Sequence, residues 1–172
     1  MKQPEPWLRG PVEGISDALQ PVAHAFIAAR EDVVAPLEGL SAEQLWAQPG
    51  GAASIGFHLM HLAGATDRLL TYARGAALND QQKAALGAER NPPEPRPTAD
   101  ALLKVWDAAV DRALTQAGET QDRELSTARF VGRAQLPSTV RGLLFHAAEH
   151  ATRHAGQLIT TAKVVRAEID RG

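Results

Sequence analysis

Apolar residues recur at spacings of three and four along four long stretches of the chain, which is the period of a helix buried on one face. The first stretch covers residues 16–39, where Pro36 should kink or end the helix near its last turn. The other three cover residues 54–74, 98–118 and 138–168, with Ser138 as the expected cap of the last helix. Four amphipathic segments of this kind predict an all-α fold, a four-helix bundle.

The connections between these segments carry short extra helices. Ser41 and Gln44 have the spacing of a capping box before a short helix at residues 41–46, and residues 78–86 predict a minor helix. The proline-rich residues 91–97 predict a stiff connector. Residues 119–137 show no clear period, so no strand is predicted, although 129–132 fit a turn or short extended piece. With an irregular lead-in at residues 1–14, we expect one domain over residues 1–172.

Composition narrows the classes of partner. The chain has 172 residues, 44% hydrophobic and 22% charged, with a net charge of −2, so no basic surface favours nucleic acid or an anionic membrane. No apolar run approaches the roughly 20 residues of a membrane span, and the first residues lack a signal-peptide core. We therefore expect a cytoplasmic protein. Because the chain contains no cysteine, any metal must be held by nitrogen and oxygen, and any thiol must come from outside.

Five of the six histidines fall in two of the long segments. His146, His150 and His154 follow one another at steps of four in the last segment, which places them on one stripe of a helix. Two imidazoles on adjacent turns can chelate a transition metal. A third ligand must come from another element, and the second segment offers His58 or His61.

The helical phase of the second segment does not choose between these two candidates. His58 lies nearer the centre of the apolar face, and His61 lies at its margin. Three neutral imidazoles with open positions are typical of a catalytic zinc site, and nickel, iron, manganese or copper also accept such ligands. The competing interpretation is a surface histidine strip or a pH-responsive interface. His24, isolated in the first segment, is interpreted as an ordinary structural residue.

Two motifs resemble a known family. Residues 54–63, read as SIGFHLMHLA and followed by Asp67 and Arg68, resemble the second helix of the DinB-like (YfiT-like) superfamily of four-helix-bundle metalloproteins. Residues 150–157, read as HATRHAGQ, resemble that superfamily's HxxxHxGQ signature. The resemblance implies that the metal ligands are His61, His150 and His154, which leaves His58 and His146 as neighbours of the ligands or alternative ligands.

The resemblance also implies a function. Members of the superfamily include S-transferases that use low-molecular-weight thiols and proteins described as metal-dependent hydrolases. We therefore expect a metal-dependent enzyme with zinc or nickel, or else iron or manganese, acting on a small-molecule substrate and using an external thiol or water. A homodimer is expected on the same basis. The alternative is a non-catalytic helical bundle in which the ion stabilises the fold or a dimer.

Overall fold

The computed structural model describes residues 3–169, and α-helices make up most of them. The predicted all-α fold is confirmed, with one small β-hairpin added. The helices are α1 (Gln20–Asp32), α2 (Val34–Leu37), α3 (Ala42–Trp46), α4 (Ile55–Ala73), α5 (Asp80–Arg90), α6 (Ala99–Glu119) and α7 (Val140–Ile169), and the strands are β1 (Ala128–Val131) and β2 (Leu136–Thr139). Short 3-10 helices cover Pro6–Leu8, Asp17–Leu19, Pro49–Gly51 and Asp122–Glu124.

Helices α1, α4, α6 and α7 form the bundle. Helix α4 packs along both α6 and α7, and α1 packs along the same two helices from the other side. The core between them is filled by fully buried side chains from all four helices: Phe26, Leu59, Leu62, Trp106, Val110, Leu144 and Leu158. Among residues 3–169, no helix is long and apolar enough to cross a membrane.

The first long segment divides into two helices as Pro36 predicts. Helix α1 ends at Asp32, and α2 follows after Val33. Proline lacks an N–H, and its ring collides with the carbonyl group four residues earlier, which here belongs to Asp32. The chain then turns at Gly39, whose φ of +71° lies in the left-handed region that favours glycine.

Side-chain caps fix where the helices of the site begin. The Ser54 hydroxyl accepts a hydrogen bond from the Phe57 amide at 3.1 Å, so α4 starts at Ile55. A capping box between Asn79 and Gln82 starts α5. Helix α5 continues to Arg90, four residues beyond the predicted end of the minor helix at residue 86.

The expectation of no strand before α7 was wrong. Strands β1 and β2 pair antiparallel, with Phe130 opposite Pro137, and their tight connection includes Gly132 at φ +66°. Four residues per strand are too few for a clear alternating pattern, and a proline inside a strand argues against it in sequence. The predicted cap was also wrong, because Ser138 belongs to β2 and the Thr139 hydroxyl accepts from the Gly142 amide at 3.1 Å.

Candidate metal centre

Three histidines from two helices converge between α4 and α7. His61 on α4 and His150 and His154 on α7 each offer a ring nitrogen, and these three atoms lie within 4.8 Å of one another. The Nε2 atoms of His61 and His150 are 3.4 Å apart. Two nitrogens bound at about 2.05 Å to a tetrahedral ion are separated by about 3.3 Å. The donor type and this spacing therefore fit a divalent transition metal.

The cluster leaves coordination positions free. No fourth histidine, cysteine, aspartate or glutamate joins it within residues 3–169. All three histidines are half-buried rather than sealed in the core. A tetrahedral ion held by three protein ligands keeps one position for water or a substrate, and this arrangement is characteristic of catalytic rather than structural sites.

A buried carboxylate orients His61. The Nδ1 atom of His61 lies 2.8 Å from Oε2 of Glu89, which is the last but one residue of α5 and only 4% exposed. The Nε2 atom of His61 faces His150. When Nε2 binds a metal, Nδ1 carries the proton and donates a hydrogen bond to the Glu89 carboxylate. Carboxylate–histidine pairs of this kind fix the tautomer and ring orientation and make the ligand more basic.

The charge of Glu89 is balanced by an arginine on the same helix as His61. Arg68 Nη1 donates to Glu89 Oε1 at 2.5 Å, and Arg68 is also largely buried. Burial by itself raises the pKa of the Glu89 carboxyl, but the hydrogen bonds from His61 and Arg68 outweigh it and hold that pKa below its ordinary value. Glu89 is thus an anion with two donors.

Gly64 makes room for this carboxylate. It lies between His61 and Arg68 on one face of α4, and a Cβ atom there would collide with Oε1 of Glu89 and Nη1 of Arg68. Glycine costs about 1 kcal/mol relative to alanine inside a helix. At this position, the cost is explained by the close approach of α5.

His154 also has a partner for its second nitrogen. Its Nδ1 atom lies 3.1 Å from Nδ1 of His58, so Nε2 is the nitrogen available to a metal. His58 is 5% exposed, in agreement with its predicted place near the centre of the apolar face of α4. It therefore contacts a predicted ligand and lies outside the three-histidine group.

Burial keeps the clustered imidazoles neutral. Removal from water, with a smaller contribution from the nearby His61, lowers the pKa of His58, His150 and His154 to about 4 each. A metal binds the neutral imidazole, so protons compete weakly with it at these positions at neutral pH.

The remaining histidines have other roles. His146 is exposed, and its Nδ1 lies 2.7 Å from Oε1 of Glu149. Arg153 donates to both oxygens of Glu149, one turn earlier on α7. His24 Nε2 lies 3.0 Å from the Gly10 carbonyl oxygen. Neither His146 nor His24 belongs to the candidate centre.

The structure brings together the three histidines that the family resemblance implied as ligands. The sequence analysis missed Glu89 and gave Arg68 no role. The predicted minor helix ended at residue 86 and the predicted connector began at residue 91, so Glu89 belonged to neither element. One signal was available, because His61, Gly64 and Arg68 share a face of α4. A histidine and an arginine on either side of a glycine on one helix face indicate that an acidic side chain from another element can pack there.

Comparison with known proteins identifies the family of this chain. A family model described as DinB superfamily matches residues 25–158, which include α4, the first part of α7 and every residue of the candidate centre. A search of curated proteins finds no significant match. Because the family model covers more than three quarters of the chain, this protein belongs to the DinB superfamily.

Proposed function

We propose that this protein is a metal-dependent enzyme that transfers a low-molecular-weight thiol to a small-molecule electrophile. In this proposal, His61, His150 and His154 hold one divalent transition metal ion, zinc or nickel. The observation that carries the proposal is the group of three imidazole donors with no fourth protein ligand among the described residues. A divalent ion held in this way is a Lewis acid that lowers the pKa of a coordinated thiol or water.

The chain's own residues prepare this chemistry. Glu89 holds the proton on Nδ1 of His61 and so presents Nε2 as the donor. Phe57 stacks on the His61 ring, with centroids 5.4 Å apart and planes 9° apart, and limits the rotation of that ring. The thiol is assigned to an external molecule because the chain contains no cysteine. Hydrolysis is the same proposal with water in place of the thiol.

Metal content tests the first half of the proposal. We expect about one transition metal ion per chain by plasma mass spectrometry on protein purified without a histidine tag. His61→Ala and His150→Ala should lose the ion because each removes one of three donors, whereas His58→Ala should retain it at lower affinity. His24→Ala is the matched control. Absence of metal in the wild type after zinc or nickel is added back would rule the proposal out.

Thiol consumption tests the second half. Metal-loaded protein is mixed with monochlorobimane and, in turn, bacillithiol, mycothiol, glutathione and coenzyme A. A new carbon–sulfur bond forms as chloride leaves and the thiol proton is released, and the product fluoresces. We expect one thiol to be consumed by the wild type and not by His150→Ala. If no thiol reacts while an ester or amide panel is cleaved, the nucleophile is water.

A structural role for the ion is the second candidate, and one observation favours it. The predicted ligands bridge α4 and α7, so a bound ion would join two bundle helices that are distant in sequence. Chelation would then unfold the protein or prevent its assembly. A well-folded, metal-free protein that regains activity when the metal is restored would favour catalysis.

A further inference from the structure

A cavity of about 380 Å³ adjoins the candidate centre on the His61 side. It is connected to the centre through Phe57 and Glu89, which both line the cavity and both contact His61. Its volume is within the range of small-molecule sites, about 300–1,000 Å³. A substrate in this cavity would be next to the predicted metal.

The cavity has a flat aromatic wall that is held in place from two sides. The Trp46 indole Nε1 donates to the Pro97 carbonyl oxygen at 3.2 Å. Its ring packs against Gly56 of α4 so closely that a Cβ atom there would be 2.7 Å away. Phe57 and Pro92 add further apolar surface. The walls therefore suit a flat, apolar body.

The charge that remains available in the cavity is positive. Its charged lining residues are Glu89, Arg90 and Arg96, and the Glu89 carboxylate already has Arg68 and His61 as donors. The side chain of Arg90 makes no hydrogen bond or ion pair with any residue between 3 and 169. Two arginines thus line a cavity whose acid is already compensated.

Arg96 packs on the Trp46 ring and is also exposed to solvent. Its guanidinium carbon lies 5.6 Å from the centroid of the Trp46 ring, a cation–π contact. Its ion pair with Glu94 at 3.2 Å is exposed, with 49% and 74% of the two side chains accessible. Exposed pairs of this kind contribute little, so an organic anion can displace Glu94.

We infer that this cavity binds the substrate as an organic anion with a flat, apolar body, an aromatic or conjugated carboxylate, whose carboxylate pairs with Arg90 and Arg96. The inference rests on the proposed function, because it assigns the substrate class of the same site. Arginine suits this role because its planar donors match a carboxylate in two-point contact.

Benzoate is the test probe, and the Trp46 indole N–H signal in ¹H–¹⁵N NMR, identified by its loss in Trp46→Phe, is the readout. We expect benzoate to shift this signal in both zinc-loaded and chelator-treated protein. The double variant Arg90→Gln/Arg96→Gln should weaken binding at least tenfold. Arg123→Gln/Arg133→Gln, which changes two exposed arginines elsewhere, should leave it unchanged. Benzamide and acetate should each bind at least tenfold more weakly than benzoate.

Several results would overturn the inference. These are no shift in the wild type, equal binding by the arginine double variant, or equal binding of benzamide or acetate. Binding that requires zinc would also overturn it, because the anion would then be on the metal. Metal content is measured on the same samples. If the wild type never takes up metal but still binds benzoate through its arginines, the proposed function would be contradicted and the assignment of this cavity as a carboxylate-binding site would be supported.

Discussion

At the scale of single residues, Glu89 links the candidate centre to the rest of the fold. Its two oxygens serve different partners, since Oε2 accepts from His61 and Oε1 from Arg68. Loss of the negative charge therefore has two consequences. It weakens the hold on a predicted ligand, and it leaves a largely buried arginine without its counter-ion.

We predict that Glu89→Gln lowers zinc affinity about 10–100-fold, because the proton on His61 Nδ1 loses a charged acceptor. The free energy of unfolding of the metal-free protein should fall by about 3 kcal/mol, because Arg68 stays buried without its counter-ion. Competition with a fluorescent zinc chelator and urea denaturation measure the two effects. Glu119→Gln, an exposed acid on α6, is the control and should change neither. Unchanged zinc affinity in Glu89→Gln would contradict the role given to this carboxylate.

The contacts of His58 and His61 explain why the sequence did not choose between them as the third ligand. His58 and His61 both belong to the half-buried or buried part of α4, and both contact a histidine of α7. They differ in which nitrogen of the α7 histidine they contact. His58 meets the Nδ1 side of His154, and His61 enters the three-histidine group. Ligation by His61, His150 and His154 stays a prediction until metal is measured.

At the scale of elements, glycines on α4 determine how closely its neighbours approach. Gly56 receives the Trp46 ring of α3, and Gly64 receives the Glu89 carboxylate of α5. Both short helices lie in the connections. Helix α3 places Trp46 in the wall of the cavity, and α5 places Glu89 beside His61.

We predict that Gly56→Ala lowers the free energy of unfolding by about 1–2 kcal/mol, because the added methyl group overlaps the Trp46 ring. Alanine's better helix propensity, worth about 1 kcal/mol, offsets part of this cost. Gly87→Ala on α5 is the matched control, since a Cβ atom there meets nothing within 4 Å. It should raise stability by up to about 1 kcal/mol. Urea denaturation measures both, and equal stabilisation by both substitutions would contradict the packing argument.

At the scale of the whole molecule, the buried imidazoles make stability depend on pH. His58, His150 and His154 have pKa values of about 4 in the folded protein, below the ordinary histidine value of 6.5. Between these values the unfolded chain binds more protons than the folded one. The free energy of unfolding of the metal-free protein must therefore fall as pH decreases from 6.5 towards 4.

We predict that chelator-treated protein is less stable at pH 5.0 than at pH 7.5, with His58 alone contributing about 2 kcal/mol to the difference. Urea denaturation at the two pH values measures this. His58→Gln should reduce the difference by about that amount, because glutamine does not titrate. Equal stability of the wild type at both pH values would show that these histidines are not buried as neutral groups.

The sequence by itself determined the long helices and the part of the candidate site on α7, which is the pair His150 and His154. Apolar periodicity and caps depend on residues within a turn or two of each other, so the long helices and the end of α1 near Pro36 were readable from the chain. The step of four between His150 and His154 is likewise a property of one helix. Short strands without a clear alternation, as in the β1–β2 hairpin, carry too little local signal.

Only the tertiary structure decided how these elements meet. Which histidine of α4 joins the α7 pair depends on the rotation of one helix against another, and packing of the whole core sets that rotation. Glu89 reaches His61 because α5 extends to Arg90 and Gly64 lets it approach. Arg90, at the end of α5, and Arg96, after it, line the same cavity as Trp46. Such contacts join residues distant in sequence, and no local pattern encodes them.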